Sequence, residues 1–394
     1  MLLLLAMLLM ACGGSEEENS SIPEDEDCYL DIYVYAPDRP IVTRGDVGEI
    51  DATSAESNVH TLQIWVFKSS NGGLVGYLNA GADGISDPSI LNETGQQVYR
   101  MKVEKSFANN PEAVDVFVVA NAASCGLTLN NETTRANLND AKIEKINDYN
   151  DYFGTTSLYG EDDLASGGRI ATYGLPMSAV LKNQPISGKF PVLRIGTESQ
   201  IATLHLTRAV SKLRFVLCRL NDENSNKKLV SIDNISLDAD QIPTWTYLVP
   251  RETYTYTYDP AAISYGSVAK TAIPEVPDPL VYAYETQAAR AYEEMINQAI
   301  TDGKLKELGL TYLRESDKQL KGTITYKYNE NNSATDTPET VPFSMAAAGD
   351  FLRNHSWIIY IYYLDSKLYV LTVTHIGMRS WGNGGAEEHS IYNW

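Results

Sequence analysis

Ile201-Ala202-Thr203-Leu204-His205-Leu206-Thr207-Arg208-Ala209-Val210-Ser211-Lys212-Leu213-Arg214-Phe215-Val216-Leu217 sets the organisation of this 394-residue chain. Ile201 to Leu206 and Lys212 to Leu217 both read as β-strands. They are joined through Thr207 to Ser211, where one strand ends and the next begins. That join is the expected boundary between two β-sandwiches, to within about ten residues either way. Arg208 and Lys212 bracket it, so they are expected to fix a domain junction and not to perform chemistry.

Upstream of the join, Thr61 to Phe67 (TLQIWVF) and Val114 to Ala120 (VDVFVVA) read as buried or half-buried strands. Downstream, Val230 to Leu237, Thr323 to Tyr328, Ser356 to Leu364 and Lys367 to Ile376 read the same way. Turn residues separate them at short intervals and strands do not alternate with helices, so the fold class is mostly β, a mostly antiparallel sandwich. One helix interrupts the strands. Tyr284, Ala288, Ala291, Tyr292, Met295, Ile296 and Ala299 form one stripe at helical spacing, and Gly303 stops it. Such a stripe packs on its own sheet or binds a partner, and the first is the commoner use. Tyr254-Thr255-Tyr256-Thr257-Tyr258 resembles an exposed β-ribbon. Pro274, Pro277 and Pro279 mark a stiff connection before the helix.

Near the start, Tyr29-Leu30-Asp31-Ile32-Tyr33-Val34-Tyr35 alternates strictly, with Leu30, Ile32 and Val34 on one face. Pro37 and Pro40 end this strand, and Val42-Thr43-Arg44-Gly45-Asp46 follows as a loop. Met1 to Ala11 are all apolar, too few for a bilayer span of about 20 helical residues. Leu9-Met10-Ala11-Cys12 resembles a bacterial lipoprotein signal: a small residue for the peptidase, then a thiol to take the lipid. An ordinary secretory signal that contains a Cys is the alternative. No Lys or Arg precedes the apolar run, a departure that a translation start a few codons upstream would remove. Residues 13–27 read as a polar tether. Within it, Ser15-Glu16-Glu17-Glu18 resembles the surface-export signal of Bacteroidetes lipoproteins.

Acidic residues number 51 against 31 basic ones, a net charge of −20. This disfavours nucleic acid and anionic lipid as electrostatic partners, since both would be repelled. Tyr is abundant at 25 while Phe is 8, which suits strands with one wet face. With Cys12 committed to lipid, Cys28, Cys125 and Cys218 are an odd, widely spaced set that implies no disulfide framework. Cys125 and Cys218 read as small buried hydrophobes. The five His (60, 205, 355, 375 and 389) form no H-x-x-x-H pair, and no C-x-x-C, G-x-S-x-G or phosphate loop is present. Glu161-Asp162-Asp163 and Asp238-Ala239-Asp240 read as solvated acidic turns, lacking the Gly and terminal Glu of a calcium loop. His355 reads as a hydrogen-bonded structural residue. The expectation is no enzyme, no metal and no cofactor.

Four segments and a late Trp together carry a family likeness. They are Val116-Phe117-Val118-Val119-Ala120-Asn121, Gly174-Leu175-Pro176-Met177-Ser178, Leu206-Thr207-Arg208-Ala209-Val210-Ser211-Lys212-Leu213, Arg353-Asn354-His355-Ser356-Trp357, and Trp381. In order and spacing the set resembles the Bacteroidales fimbrillins, the lipoprotein-derived subunits of type V pili. The resemblance implies two tandem transthyretin-like antiparallel β-sandwiches, with one helix in the C-terminal one, and a pilus role at the outer membrane. It implies cleavage by a trypsin-like protease after Arg44, before Gly45. The leader strand then leaves, and a strand of another fimbrial subunit fills the groove. Arg39 is disfavoured as the cut site because Pro40 follows it.

The expected division is 1–12 signal, 13–44 tether and leader strand, 45–208 N-terminal sandwich, and 209–394 C-terminal sandwich with a donor-like tail at 377–394. In that tail Gly382, Gly384 and Gly385 weaken any strand. Trp381, Ile391 and Trp394 are the candidate plugs for a partner's groove. So Gly-rich a tail also suits a tip or anchor component. A monomeric surface lipoprotein binding glycan or host protein through exposed aromatics such as Tyr254, Tyr256 and Tyr258 is the remaining alternative.

Overall fold

The structure, a computed structural model, describes residues 27–35, 49–50, 56, 59–80, 90–91, 96–144, 174–220, 229–251, 255–265, 267–277, 289–329, 338–345, 351–364 and 367–378. The described chain opens with β1 (Cys28–Tyr35), β2 (Glu49–Ile50), β3 (Leu62–Lys68), β4 (Leu74–Asn79), β5 (Ile90–Leu91) and β6 (Gln96–Val103). Next come α1 (Lys105–Asn109), β7 (Val114–Ala120), α2 (Arg135–Asp140) and β8 (Lys142–Ile143). They are followed by β9 (Met177–Gln184), β10 (Ile186–Lys189), β11 (Val192–Thr197), β12 (Gln200–Ile201), β13 (Thr203–Leu204) and β14 (Thr207–Arg208). Past the join lie β15 (Ser211–Leu220), β16 (Leu229–Leu237), β17 (Thr246–Tyr247), β18 (Ile263–Ser264), β19 (Val268–Ala272) and β20 (Glu275–Val276). The last elements are α3 (Ala289–Thr301), β21 (Lys306–Leu313), β22 (Leu320–Asn329), β23 (Glu339–Met345), β24 (His355–Leu364) and β25 (Lys367–Met378).

The protein is mostly β and built as two sandwiches. In the first, a sheet ordered β10-β11-β1-β6-β5 faces a sheet ordered β14-β9-β7-β3-β4. Leu30, Ile32 and Val34 of β1 meet Ile64, Val66, Val116 and Val118 in the core between them. In the second, β2-β25-β24-β15-β20 faces β18-β16-β22-β23, around Phe215, Ile324, Phe343, Trp357 and Ile359. The chain passes from one sandwich to the other between Arg208 and Ser211, because β14 pairs with β9 and β15 pairs with β24.

A third core explains why TLQIWVF and VDVFVVA are apolar almost throughout. On β3 and β7 the residues that face away from the first core, Trp65, Phe67, Phe117 and Val119, pack on Val210, Leu248, Leu310 and Tyr312. This sheet is therefore covered on both faces, and neither alternating set of positions is left for water. The described end of the helical stripe, in α3, packs on its own sheet: Ile296 and Ala299 lie against Val216, Cys218, Ile358 and Tyr360, while Tyr284 and Ala288 lie outside the described residues. Gly303, at φ 69°, ends this helix by donating its N–H to the Ile300 carbonyl at 3.0 Å.

One expectation is corrected. Ile201 to Leu206 is not one strand: β12 pairs back on β11 and β13 pairs with β1. The segment changes partner at Ala202, and local composition carries no sign of that. Of the ribbon expected at Tyr254–Tyr258, Tyr254 lies outside the described residues, Thr255 and Thr257 are exposed, and Thr257 to Asp259 is tied to Ile242–Thr244 by a bridge at Tyr258 and two flanking backbone bonds. Pairing is mostly antiparallel, as expected, with parallel exceptions. β15 runs parallel to β24 over eight residue pairs, and β1 parallel to β11 and β13.

Candidate functional site

β1 occupies the middle of its sheet. It pairs antiparallel with β6 along its whole length, from Cys28↔Val103 to Tyr35↔Gln96. On its other side it runs parallel to β11 at Tyr29–Asp31 and to β13 at Tyr33–Val34. The strict alternation of CYLDIYVY is the local cause. Cys28, Leu30, Ile32 and Val34 point into the core and are at most 2% exposed, while Tyr29 and Tyr33 on the other face are half-buried. Burying each of these aliphatic side chains contributes about 1.5–3 kcal/mol.

The outer face of β1 carries a charge. Asp31 is buried, and Arg100 on β6 grips it through Nε–Oδ1 at 2.8 Å and Nη2–Oδ2 at 2.9 Å, a two-pronged pair. That hydrogen bond raises the pKa of the Arg100 guanidinium. Asp31 also stands in register with Arg194 on β11. At the strand's start, Lys102 pairs with the exposed Asp27 at 2.6 Å and holds its carboxyl below the usual range.

Leu30, Ile32 and Val34 are the predicted site residues that lie within the structure. Cys12, Arg44, Gly45, Trp381, Ile391 and Trp394 lie outside the described residues. β2 (Glu49–Ile50), just after the Arg44–Gly45 loop in sequence, does not join the first sandwich. It pairs parallel with Gly377–Met378, the end of β25 and the first two residues of the expected tail.

The junction holds the other charged cluster. Arg208 is fully buried and donates from Nε to the Glu56 carbonyl at 3.1 Å and from Nη1 to Asn354 Oδ1 at 3.1 Å. The Glu56 carboxylate, equally buried, meets Lys212 Nζ at 3.0 Å and accepts from Tyr312 Oη at 2.6 Å. Burial pushes the Arg208 guanidinium down, and Glu56 and then Tyr312 pull it back up. Beside it Arg353 pairs with Glu315 and donates to the Tyr247 carbonyl at 2.9 Å. His355 Nδ1 lies 2.7 Å from the Arg353 carbonyl. Asn121, at φ 57°, accepts the His60 N–H at 2.8 Å and donates to the Leu175 carbonyl at 2.8 Å. These residues tie together segments far apart in sequence. Arg208 and Lys212 belong to the junction, as expected from their place in the chain.

Two site residues escape a reading of the sequence. Asp31 is an acid inside an apolar alternating strand, which is a signal, but its Arg100 partner is far off in the chain. Glu56 sits in an unremarked polar stretch with no local signal at all. Among the described residues no group of three or more His, Cys, Asp or Glu is placed to hold a metal ion. No helix among them is long and apolar enough to cross a membrane. Cys28, Cys125 and Cys218 are buried, and burial pushes the Cys218 thiol up to about 12 despite its contact with Tyr360 Oη at 2.7 Å.

No protein-family model and no curated protein matches the chain. Solved structures similar to it are cell adhesion and fimbrial proteins of Bacteroidales. One, from Parabacteroides distasonis and provisionally described as a cell adhesion protein, is 14% identical with a TM-score of 0.49. The likeness covers 91% of this chain and 99% of that one. The tip fimbrial protein Mfa3 of Porphyromonas gingivalis, with a C-terminal truncation, is 16% identical with a TM-score of 0.40, over 89% of this chain and 100% of that one. A fimbrial assembly protein of Parabacteroides distasonis is 13% identical with a TM-score of 0.44, over 88% and 96%. At TM-scores under 0.5 these likenesses decide nothing about the site, whose reading rests on this chain's own residues.

Proposed function

We propose that this chain is a structural subunit of a cell-surface fimbria. It is exported as a lipoprotein through Cys12, cut after Arg44 by a trypsin-like protease and assembled by strand exchange with other fimbrial subunits, in support of adhesion. The observation that carries the reading is the position of β1. Among the described residues, the one strand that a cut between Arg44 and Gly45 would sever from all that follows lies mid-sheet, with every second side chain in the core. Its loss would leave β6, β11 and β13 with unpaired backbone groups and apolar pockets, a template for an incoming strand. Trp381, Ile391 and Trp394 are the tail's candidates for filling a partner's groove. The Gly-rich run before Ile391 supports a tip or anchor position as the second reading.

The test is proteolysis of the purified precursor followed by native mass spectrometry. Cutting at Arg44 should release the segment ending there, and the remaining body should take up an added peptide of residues 24–35. Arg44→Ala should stay folded, keep its leader and take up none. If the cut segment stays bound and no peptide exchanges into the body, strand exchange at β1 is wrong.

A further inference from the structure

Strand exchange at β1, on which this inference rests, leaves open which strand comes in. The walls of the groove narrow the choice. Leu30 and Ile32, fully buried, flank Asp31, and the core admits only apolar side chains there. Between them Asp31 points to the outer face, where the direct cross-strand neighbours on both sides are arginines: Arg100 on β6 and Arg194 on β11. Arg100 holds Asp31 by two hydrogen bonds and lies 5.8 Å from the Tyr29 ring centroid. Once β1 leaves, two cations face each other across an empty strand position, and an incoming strand without a carboxylate there leaves both unmatched. The chain's net charge of −20 does not relieve this, because charges beyond about 8–10 Å are screened.

We propose that this groove takes a strand from a different polypeptide, one with an acidic residue directly between two inward-facing apolar residues, and that Arg100 and Arg194 select it. The chain's own tail does not meet the condition. Its only acids are Glu387 and Glu388, in Gly385-Ala386-Glu387-Glu388-His389. With Glu388 in the Asp31 position, Glu387 and His389 would enter the sites of Leu30 and Ile32. With Glu387 there, Glu388 would enter one of them. Either register buries a carboxylate in the core, and reversing the strand changes nothing because both neighbours of the acid still point inward. Residues 377–394 therefore do not suit this groove, and a homopolymer built by inserting that segment is disfavoured.

Peptide binding to the cut, leader-free protein tests this by fluorescence anisotropy. The probes are residues 24–35, the same peptide with Asp31→Asn or Asp31→Lys, and residues 377–394. Asp31→Asn should weaken binding about tenfold and Asp31→Lys about a hundredfold, and the tail peptide should bind at least about a hundredfold more weakly than the parent. Against Arg100→Ala/Arg194→Ala protein, the parent and Asp31→Asn peptides should bind alike. Because the first comparison alters only the peptide, it does not depend on how a protein variant folds. Equal binding of parent and Asp31 variants, or tail binding within about threefold of the parent, overturns the selection while leaving strand exchange intact. If no peptide binds at all, strand exchange itself fails, and the selection with it.

Discussion

The central strands of the two sandwiches, β1 and β15, have similar neighbours and, under the proposed strand exchange, different fates. Each has an antiparallel partner on one side and parallel pairing on the other: β6 against β11 and β13 for β1, β21 against β24 for β15. The difference is on the outer face. Behind β15, Val216 and Cys218 are sealed under α3, so the strand is buried on both faces. Behind β1 no helix packs among the described residues, and the face carries Tyr29, Asp31 and Tyr33. A strand that must leave has to be tolerable to water on one side, whereas a permanent one is best covered on both. The contrast fits β1 as the exchangeable strand and β15 as the fixed one.

The largest effect expected is at the fixed strand. Phe215 is fully buried, with Tyr265 and Phe343 rings 6.3 Å and 6.2 Å away. Phe215→Ala should destabilise the second sandwich by about 3–5 kcal/mol, through lost burial and the cavity left behind. Denaturation midpoints should show the same loss before and after cleavage at Arg44. A loss that disappears on cleavage would mean that the two sandwiches do not divide as argued here.

The exchangeable strand should behave in the opposite way. Leu30→Ala in the intact protein should cost about 2–5 kcal/mol, since its side chain is fully enclosed. After cleavage and release of the leader the variant and the parent share one body, and their midpoints should coincide. If the difference persists in leader-free protein, β1 is not what leaves.

How much of this was legible in the sequence follows from the range over which each interaction acts. β1, β7, β15 and β24 announce themselves through alternation or apolar runs within the strand, and the turn from first to second sandwich shows as two strands nearly abutting. The breaking of Ile201–Leu206 into β12 and β13 was hidden, because it depends on where β11 and β1 happen to end. β6 was missed for a related reason. QQVYRMKV has Gln, Arg and Lys among its apolar residues, and these make sense only beside β1, where Lys102 meets Asp27 and Arg100 meets Asp31. Arg208 and Lys212 were placed at a junction by position alone. The carboxylate that makes this cluster stable, Glu56, lies far upstream and is set there by the tertiary fold.

The smallest effect concerns acid and the part of the first sandwich that stays when β1 goes. Asp115 on β7 is held by Ser69 Oγ at 2.6 Å, the Asn183 N–H at 2.8 Å and Arg135 Nη1 at 2.7 Å. Burial alone would raise its carboxyl, but the hydrogen bonds from Ser69, Asn183 and Arg135 outweigh that and hold it below 3.8. A carboxyl depressed in the folded state stabilises the protein above its unfolded pKa, and the benefit fades as pH falls through the folded one. Urea midpoints of the parent should therefore decline as pH drops below about 4, with Asp115 contributing about 0.5–1 kcal/mol of that decline because Arg135 is partly exposed. Asp115→Asn should flatten the acid limb by that amount. None of its three partners is on β1, so the difference between parent and variant should be the same in intact and in leader-free protein. The Asp31–Arg100 pair, in contrast, would be broken by loss of the leader, because Arg100 stays behind on β6. An acid limb that Asp115→Asn leaves unchanged, or a difference that vanishes on cleavage, would place the titrating group on the exchangeable strand and reverse the assignment.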